Sequence, residues 1–202
     1  MIKSVIFDLG GVYFTDGTKV AIEKISKKYN LSFKAVQEIL KTGSESSTLY
    51  RKGEITFNEF WDKVKNLLGI KADNNELNKL WVESYEPIEG TIKIIKQLKK
   101  KNIKLYYLSD NVKERVEYLQ AKFNFLENFV DGVFSNEAHI TKKEGAVAFK
   151  LALEKTNDKP EDVAYIDDKE EYVETARKIG MNAICFKSPE QLEEEFKNLG
   201  IP

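Results

Sequence analysis

Ser4-Val5-Ile6-Phe7-Asp8-Leu9-Gly10-Gly11 lies near the start of the sequence and governs how the rest of it is read. A continuous, largely apolar run halted by an acid and paired glycines suits a strand buried on both faces. Runs of the same kind recur. Residues 103–108 end at Ser109-Asp110-Asn111, 130–134 at Ser135, 163–166 at Asp167-Asp168, and 182–186 at Lys187. Helical patterns fall between them at 91–101, 113–123, 145–156 and 171–179, and Ser188-Pro189 has the form of an N-cap with proline at the first helical position. Short buried strands alternating with helices of this length predict an α/β protein with a doubly wound, Rossmann-like parallel sheet.

One stretch interrupts the alternation. Residues 17–85 carry no strand signal. Helical patterns cover 19–29 and 33–40, the latter with Ser32 as N-cap. Phe57, Phe60, Trp61, Val64, Leu67 and Leu68 share one helical face behind a Thr56/Glu59 capping box, with Gly69 to end it. Leu77, Leu80 and Trp81 mark a fourth helix, and the polar stretch 43–53 reads as a loop. The expectation is an all-helical unit at 15–87 inserted into a core formed by 1–14 and 88–202. Crossings at 13–17 and 86–90 would act as hinges. Trp61 and Trp81 are expected in the core of the insertion, His139 at the surface, and Cys185 as a small apolar packing residue.

Composition narrows the chemistry. The 202 residues include 32 basic and 33 acidic side chains, a formal net charge of -1. That lacks the basic excess of a nucleic-acid binder. No apolar run approaches the ~20 residues of a membrane span, and the apolar N-terminus is short, broken by Asp8 and without a small-residue cleavage site. A cytoplasmic protein, monomeric or homodimeric, is expected. One Cys and one His rule out an internal disulfide and zinc sites built on several Cys or His. Chemistry must then rest on carboxylates, lysines and hydroxyls.

In an open parallel sheet, ligands bind beyond the carboxyl ends of the strands, where strand order reverses. The strand ends deliver Asp8, Ser109, Asp167 and Asp168, and Lys142-Lys143 precede the helix at 145. Three close carboxylates repel one another unless a hard divalent cation joins them, and oxygen ligands suit Mg²⁺. A phosphate group completes the set: the cation and a lysine neutralise it, while Ser109 and backbone N–H groups bind its oxygens. A carboxylate oxygen not held by the metal can attack phosphorus.

The order of these pieces resembles the haloacid dehalogenase superfamily of phosphatases and related hydrolases, over essentially the whole chain. Val5-Ile6-Phe7-Asp8-Leu9-Gly10-Gly11-Val12 is similar to its first motif, whose leading Asp is the nucleophile. Leu105 to Asn111 is similar to the second, whose Ser or Thr binds phosphate. Lys143 to Phe149 is similar to the third, and aligning Phe149 with its aromatic favours Lys143 over Lys142 as the motif lysine. Ala164 to Asp168 is similar to the fourth, which holds the metal. The resemblance implies Asp8 and Lys143 as catalytic residues. It implies Asp8, the Gly10 carbonyl, Asp167 and Asp168 around Mg²⁺, and Ser109, Asp110, Asn111 and Gly11 as contacts to phosphate or substrate; Arg51, in the polar stretch of the insertion, is a further candidate substrate contact. The helical insertion corresponds to a cap, and the loop carrying Tyr50 and Arg51 would face the site.

The function so implied is Mg²⁺-dependent hydrolysis of a small phosphate monoester, such as a sugar phosphate, through an aspartyl-phosphate. One departure matters. Gly10 stands where the family's phosphatases carry a second Asp as general acid and base, and losing such a group costs about 10²–10⁴ in rate. Asp16 or a water chain could replace it. Two alternatives stay open: 2-haloacid dehalogenation, in which Asp8 attacks carbon without a metal, and a catalytically weak phosphate-binding or interaction module. Tyr172 and Asp110 also differ from the Asn common at their positions.

Overall fold

The computed structural model describes residues 1–41 and 43–201. Five parallel strands, β1 (Ser4–Phe7), β2 (Lys104–Ser109), β3 (Asp131–Phe134), β4 (Val163–Asp167) and β5 (Asn182–Cys185), form one sheet in the order β3-β2-β1-β4-β5. The order reverses at β1, so the loops after β1, β2 and β4 meet at one edge. Register aligns their ends: Phe7 pairs with Tyr107 on one side and with Ile166 on the other.

Both faces of the sheet are buried, which is why its strands read as unbroken apolar runs. Val5, Phe7, Leu105, Tyr107, Ala164 and Ile166 point to one side, into a core shared with α6 (Glu89–Lys100), α7 (Lys113–Phe123) and α11 (Pro189–Asn198). Ile6, Tyr106, Leu108, Val163 and Tyr165 point to the other, against α9 (Ala146–Thr156) and α10 (Glu170–Lys178). The α/β expectation is met. Val130 differs from it: β3 begins at Asp131, and Val130 lies 67% exposed.

Between β1 and α6 the chain is all helical: α1 (Gly17–Tyr29), α2 (Phe33–Leu40), α3 (Glu45–Arg51), α4 (Phe57–Leu68) and α5 (Asn74–Val82). The Thr56/Glu59 capping box opens α4, and Gly69, at φ 65°, closes it. Phe60, Trp61 and Trp81 are fully buried and pack edge-on or stacked with one another, and Tyr50 stacks on Phe60. The helix α3 corrects the loop reading of 43–53. Its sequence, Glu-Ser-Ser-Thr-Leu-Tyr-Arg, has too few apolar residues to show a period, yet Ser44 caps it and Ser47, Tyr50 and Arg51 are buried.

The two crossings between this insertion and the sheet are bonded to each other. Thr15 N donates to the Glu86 carbonyl (2.9 Å) and Ile88 N to the Tyr13 carbonyl (2.8 Å), with Phe14 bridging Pro87. Gly17 lets Tyr85 lie against the start of α1; a Cβ there would collide with its ring. Among the described residues no helix is long and apolar enough to cross a membrane.

Candidate active site

The loops after β1, β2 and β4 open into a cavity of about 280 Å³ roofed by the inserted helices. Asp8, Gly10, Ser109, Asp110, Asn111, Lys142 and Asp168 line its floor, while Arg51 and Tyr85 come from the cap side. Asp8, Asp167 and Asp168 each offer a carboxylate oxygen within 4.8 Å of the others.

Asp8 is buried and fixed from two directions. Its Oδ1 accepts from Leu9 N (2.7 Å) and its Oδ2 faces Lys142 Nζ at 2.9 Å. Lys142 Nζ also reaches Asp167 Oδ2 (2.7 Å). Burial, reinforced by Asp167 and Asp168, pushes the Asp8 carboxyl up to about 7, against the pull of Lys142. Burial likewise raises Asp168, with Asp167 adding to it. Burial works against the Lys142 ammonium, but Asp167, Asp8 and Asp110 hold its pKa above the usual lysine range.

The lysine is a correction. Alignment on Phe149 favours Lys143, but Lys143 is exposed, with its side chain against Gly43 of the cap, whereas Lys142 is buried among the carboxylates. A 3₁₀ turn at Lys142–Glu144, held by a Thr141/Glu144 capping box, directs consecutive side chains about 120° apart. Gly145 then breaks the path before α9 at φ 85°, ψ -150°, so constant spacing back from Phe149 misses by one residue.

Other expected residues divide. Ser109 is 3% exposed, lines the cavity, and its hydroxyl has no partner among the described residues. Gly10 lines the cavity as well. Gly11 does not: its N–H is spent on the Phe14 carbonyl (2.7 Å), which removes it as a phosphate contact. Its left-handed φ of 87° serves instead to admit Asp168, whose carboxyl a Cβ would meet at 2.7 Å. Asn111 lines the cavity, and its amide oxygen accepts from Val112 N and Arg115 Nε at the start of α7. Asp110 Oδ1 accepts from Lys142 N (3.0 Å), bracing the lysine turn. Asp167 sits behind the floor, its oxygens held by Lys142, Tyr165 and Lys169 N, leaving Asp8 and Asp168 to face the cavity. Asp16 caps α1 through Lys19 N and lines the same cavity. Tyr50 points away to Glu114 (2.6 Å). The His139 ring bonds to the Lys52 carbonyl at the surface.

Three contributors, Tyr165, Arg115 and Ser135, were not foreseen. Tyr165 donates to Asp167 (2.5 Å), and the Tyr172 ring lies 4.7 Å from Lys142 Nζ. Arg115, buried in the first turn of α7, lines the cavity. Ser135, at the start of α8 (Ser135–Ala138), accepts from Asn111 N (2.9 Å) and donates to the Arg51 carbonyl (2.6 Å), joining the β2 loop to α3.

The donor set fits a hard divalent cation. Among the described residues the candidate ligand atoms that converge are carboxylate oxygens, beside the Lys142 ammonium, and burial together with mutual repulsion raises the Asp8 and Asp168 carboxyls. The sign of the linkage follows. A carboxyl whose folded pKa is raised favours the fold fully below its unfolded value near pH 4, and that contribution fades as pH rises through about 7. Mg²⁺ should therefore raise the melting temperature by on the order of 5 °C near pH 7.5, much less near pH 5, and hardly at all in Asp168→Ala. Thermal melts at the two pH values check this; an equal shift at both would contradict it.

A parallel α/β sheet with acids at the ends of β1 and β4, a lysine between them and a helical roof defines a class of hydrolase. The family model for haloacid dehalogenase-like hydrolases matches residues 2–180, and the chain belongs to that family. Among curated proteins it is 30% identical over 144 residues to a putative uncharacterized protein of Dictyostelium discoideum, covering 69% of this chain and 61% of that protein. It is 22% identical over 203 residues to drimenol cyclase of Aspergillus calidoustus, covering 98% and 37%. The chain thus spans less than two thirds of either relative. Among solved structures, a HAD family enzyme of Bacteroides thetaiotaomicron in its magnesium complex superposes with TM-score 0.79 at 22% identity, covering 97% of this chain and 98% of that one. The same enzyme with magnesium and inorganic phosphate gives 0.78 at 20%, covering 97% and 100%. L-2-haloacid dehalogenase of Xanthobacter autotrophicus, with chloropropionic acid covalently bound, gives 0.69 at 17%, covering 100% and 85%. At these identities the likeness is one of fold.

Proposed function

We propose that the chain is a Mg²⁺-dependent phosphatase for a small phosphate monoester, with residues 15–87 as a cap over the site. The observation that carries this reading is the convergence of Asp8, Asp168 and Lys142 on one floor beside the unpartnered Ser109 hydroxyl. The magnesium and phosphate held by the Bacteroides enzyme of the same fold support it. Asp8, Asp168 and the Gly10 carbonyl would hold Mg²⁺, which when bound supplies positive charge against the phosphoryl oxygens.

Asp8 is the nucleophile. Leu9 N and Lys142 fix its carboxylate, so little reorganisation precedes attack on phosphorus. The P–O bond to the alcohol breaks as the Asp8–phosphorus bond forms, and the leaving oxygen takes its proton from water in the cavity, relayed by Asp16. Water then cleaves the aspartyl-phosphate and releases inorganic phosphate. Lys142 and Ser109 bind the oxygens of the transferring group through both steps. Lys142 and Tyr165 hold Asp167, which positions the lysine. The deciding experiment is phosphate release from a panel of phosphorylated metabolites with and without Mg²⁺. Chloride release from 2-chloropropionate without metal would favour dehalogenation instead.

Gly10 gives a second test. No atom lies within 4 Å of where its Cβ would stand, and its backbone is not left-handed, so Asp fits there. Gly10→Asp should raise kcat on an alkyl phosphate by on the order of 10², and on nitrophenyl phosphate only slightly, because the better leaving group needs no proton. No gain on either substrate would mean that the relay through Asp16 already moves that proton at full rate.

A further inference from the structure

Two guanidinium groups, Arg51 from the inserted helices and Arg115 from α7, line the cavity with no ion-pair partner among the described residues. Arg51 is 3% exposed and Arg115 2% exposed. Their Cζ atoms lie 5.4 and 4.6 Å from the Trp81 ring, and Arg115 also lies 4.8 Å from the Tyr85 ring. Arg51 donates through Nε to Ser47 Oγ (3.0 Å) and through Nη1 to the Asp110 carbonyl (2.9 Å). Arg115 donates through Nε to Asn111 Oδ1 (2.6 Å) and through Nη1 to the Tyr85 hydroxyl. Every acceptor is neutral, and neither arginine forms an ion pair among the described residues. Arg115 Nη2 is buried with no partner, and so is the hydroxyl of Tyr172 on the same cavity. The Asp110 carboxylate is the acid near Arg51; its Oδ1 accepts from Lys142 N, and its Oδ2 is buried without a hydrogen-bond partner.

Burying two like charges side by side is costly unless an anion joins them. Burial, together with Arg115, lowers the Arg51 pKa to about 10. The transferring phosphate already has Lys142, Ser109 and the cation site, so these donors await a different group. We propose that Arg51 and Arg115 bind a second anionic group of the substrate. The substrate class is then a small phosphate ester that also carries a carboxylate or a second phosphate. This rests on the phosphatase reading for its first phosphate.

The test uses non-hydrolysable phosphonates with Mg²⁺, measured by titration calorimetry on the whole chain. Phosphonocarboxylates and bisphosphonates with spacers of two to four carbons are compared with alkylphosphonates of matching length. The expected result is that one doubly anionic series binds the wild-type chain at least about tenfold more tightly. Which series gains tells carboxylate from phosphate. In Arg115→Met and Arg51→Met that ratio should collapse to within about twofold, and Arg115→Lys should restore part of it. Equal binding of all series to wild type, a comparison that needs no substitution, overturns the proposal, as does a ratio that survives both Met variants. Failure here with phosphate monoesters still hydrolysed sinks only the second-anion site. A preserved ratio gain with no hydrolysis of any ester sinks the phosphatase reading alone.

Discussion

Asp8→Asn should abolish Mg²⁺-dependent phosphate release, lowering kcat by at least about 10⁴ while the protein remains folded. Asn is nearly the same size and keeps an oxygen for the Leu9 N–H, which lies 2.7 Å from Asp8 Oδ1. What it loses is the anion that attacks phosphorus. It also removes one negative charge from a buried cluster whose carboxyls are already pushed toward their neutral forms. The variant should therefore fold, and circular dichroism with thermal melts checks that. Brief exposure of wild type to substrate followed by acid quench should recover a phosphorylated chain that is absent from the variant. Residual turnover within about tenfold of wild type would remove Asp8 from the role of nucleophile.

Lys142→Met is the second large effect, and its comparison with Lys143→Met is the sharper experiment. Lys142 Nζ lies 2.9 Å from Asp8 and 2.7 Å from Asp167, all three side chains buried. Removing it leaves two uncompensated carboxylates, and breaking such a pair costs about 3–5 kcal/mol. Lower pH should lessen that cost, since protonation relieves the repulsion. Turnover should fall by on the order of 10³ through lost stabilisation of the transferring group. Lys143 is exposed against the cap, and Lys143→Met should stay within about threefold of wild type. Equal effects of the two substitutions would contradict the assignment. Melting curves and kcat measured side by side separate the stability loss from the catalytic one.

The sheet and most of the floor could be read from sequence because each buried strand is a contiguous apolar run ending in the residue that matters. Asp8, Ser109 and Asp168 sit where a strand stops, and local sequence marks that point. The lysine could not be placed the same way. It rides on a 3₁₀ turn and a glycine break, and spacing carries no information across such a break. Arg115 gave no signal, since an arginine in the first turn of a helix looks like a solvated residue until the packed Trp81 and Tyr85 show otherwise. Tyr165 read as strand filler because its hydroxyl meets Asp167 only through the pleat, two residues on. The helix α3 stayed hidden because polar residues bury well when hydrogen-bonded, and Ser47 is both.

The Ser135 hydroxyl is shared between the Asn111 amide of the floor and the Arg51 carbonyl of the roof. One oxygen thus ties the inserted helices to the loop after β2. On the cap reading proposed above, an outward swing of the roof would free that oxygen, break the Arg51–Asp110 contact and slacken the loop beside Ser109, and a ligand seated there would in turn draw the roof down. By reciprocity the two tendencies have equal strength. Admitting a substrate and shutting out bulk water would then be two sides of one equilibrium.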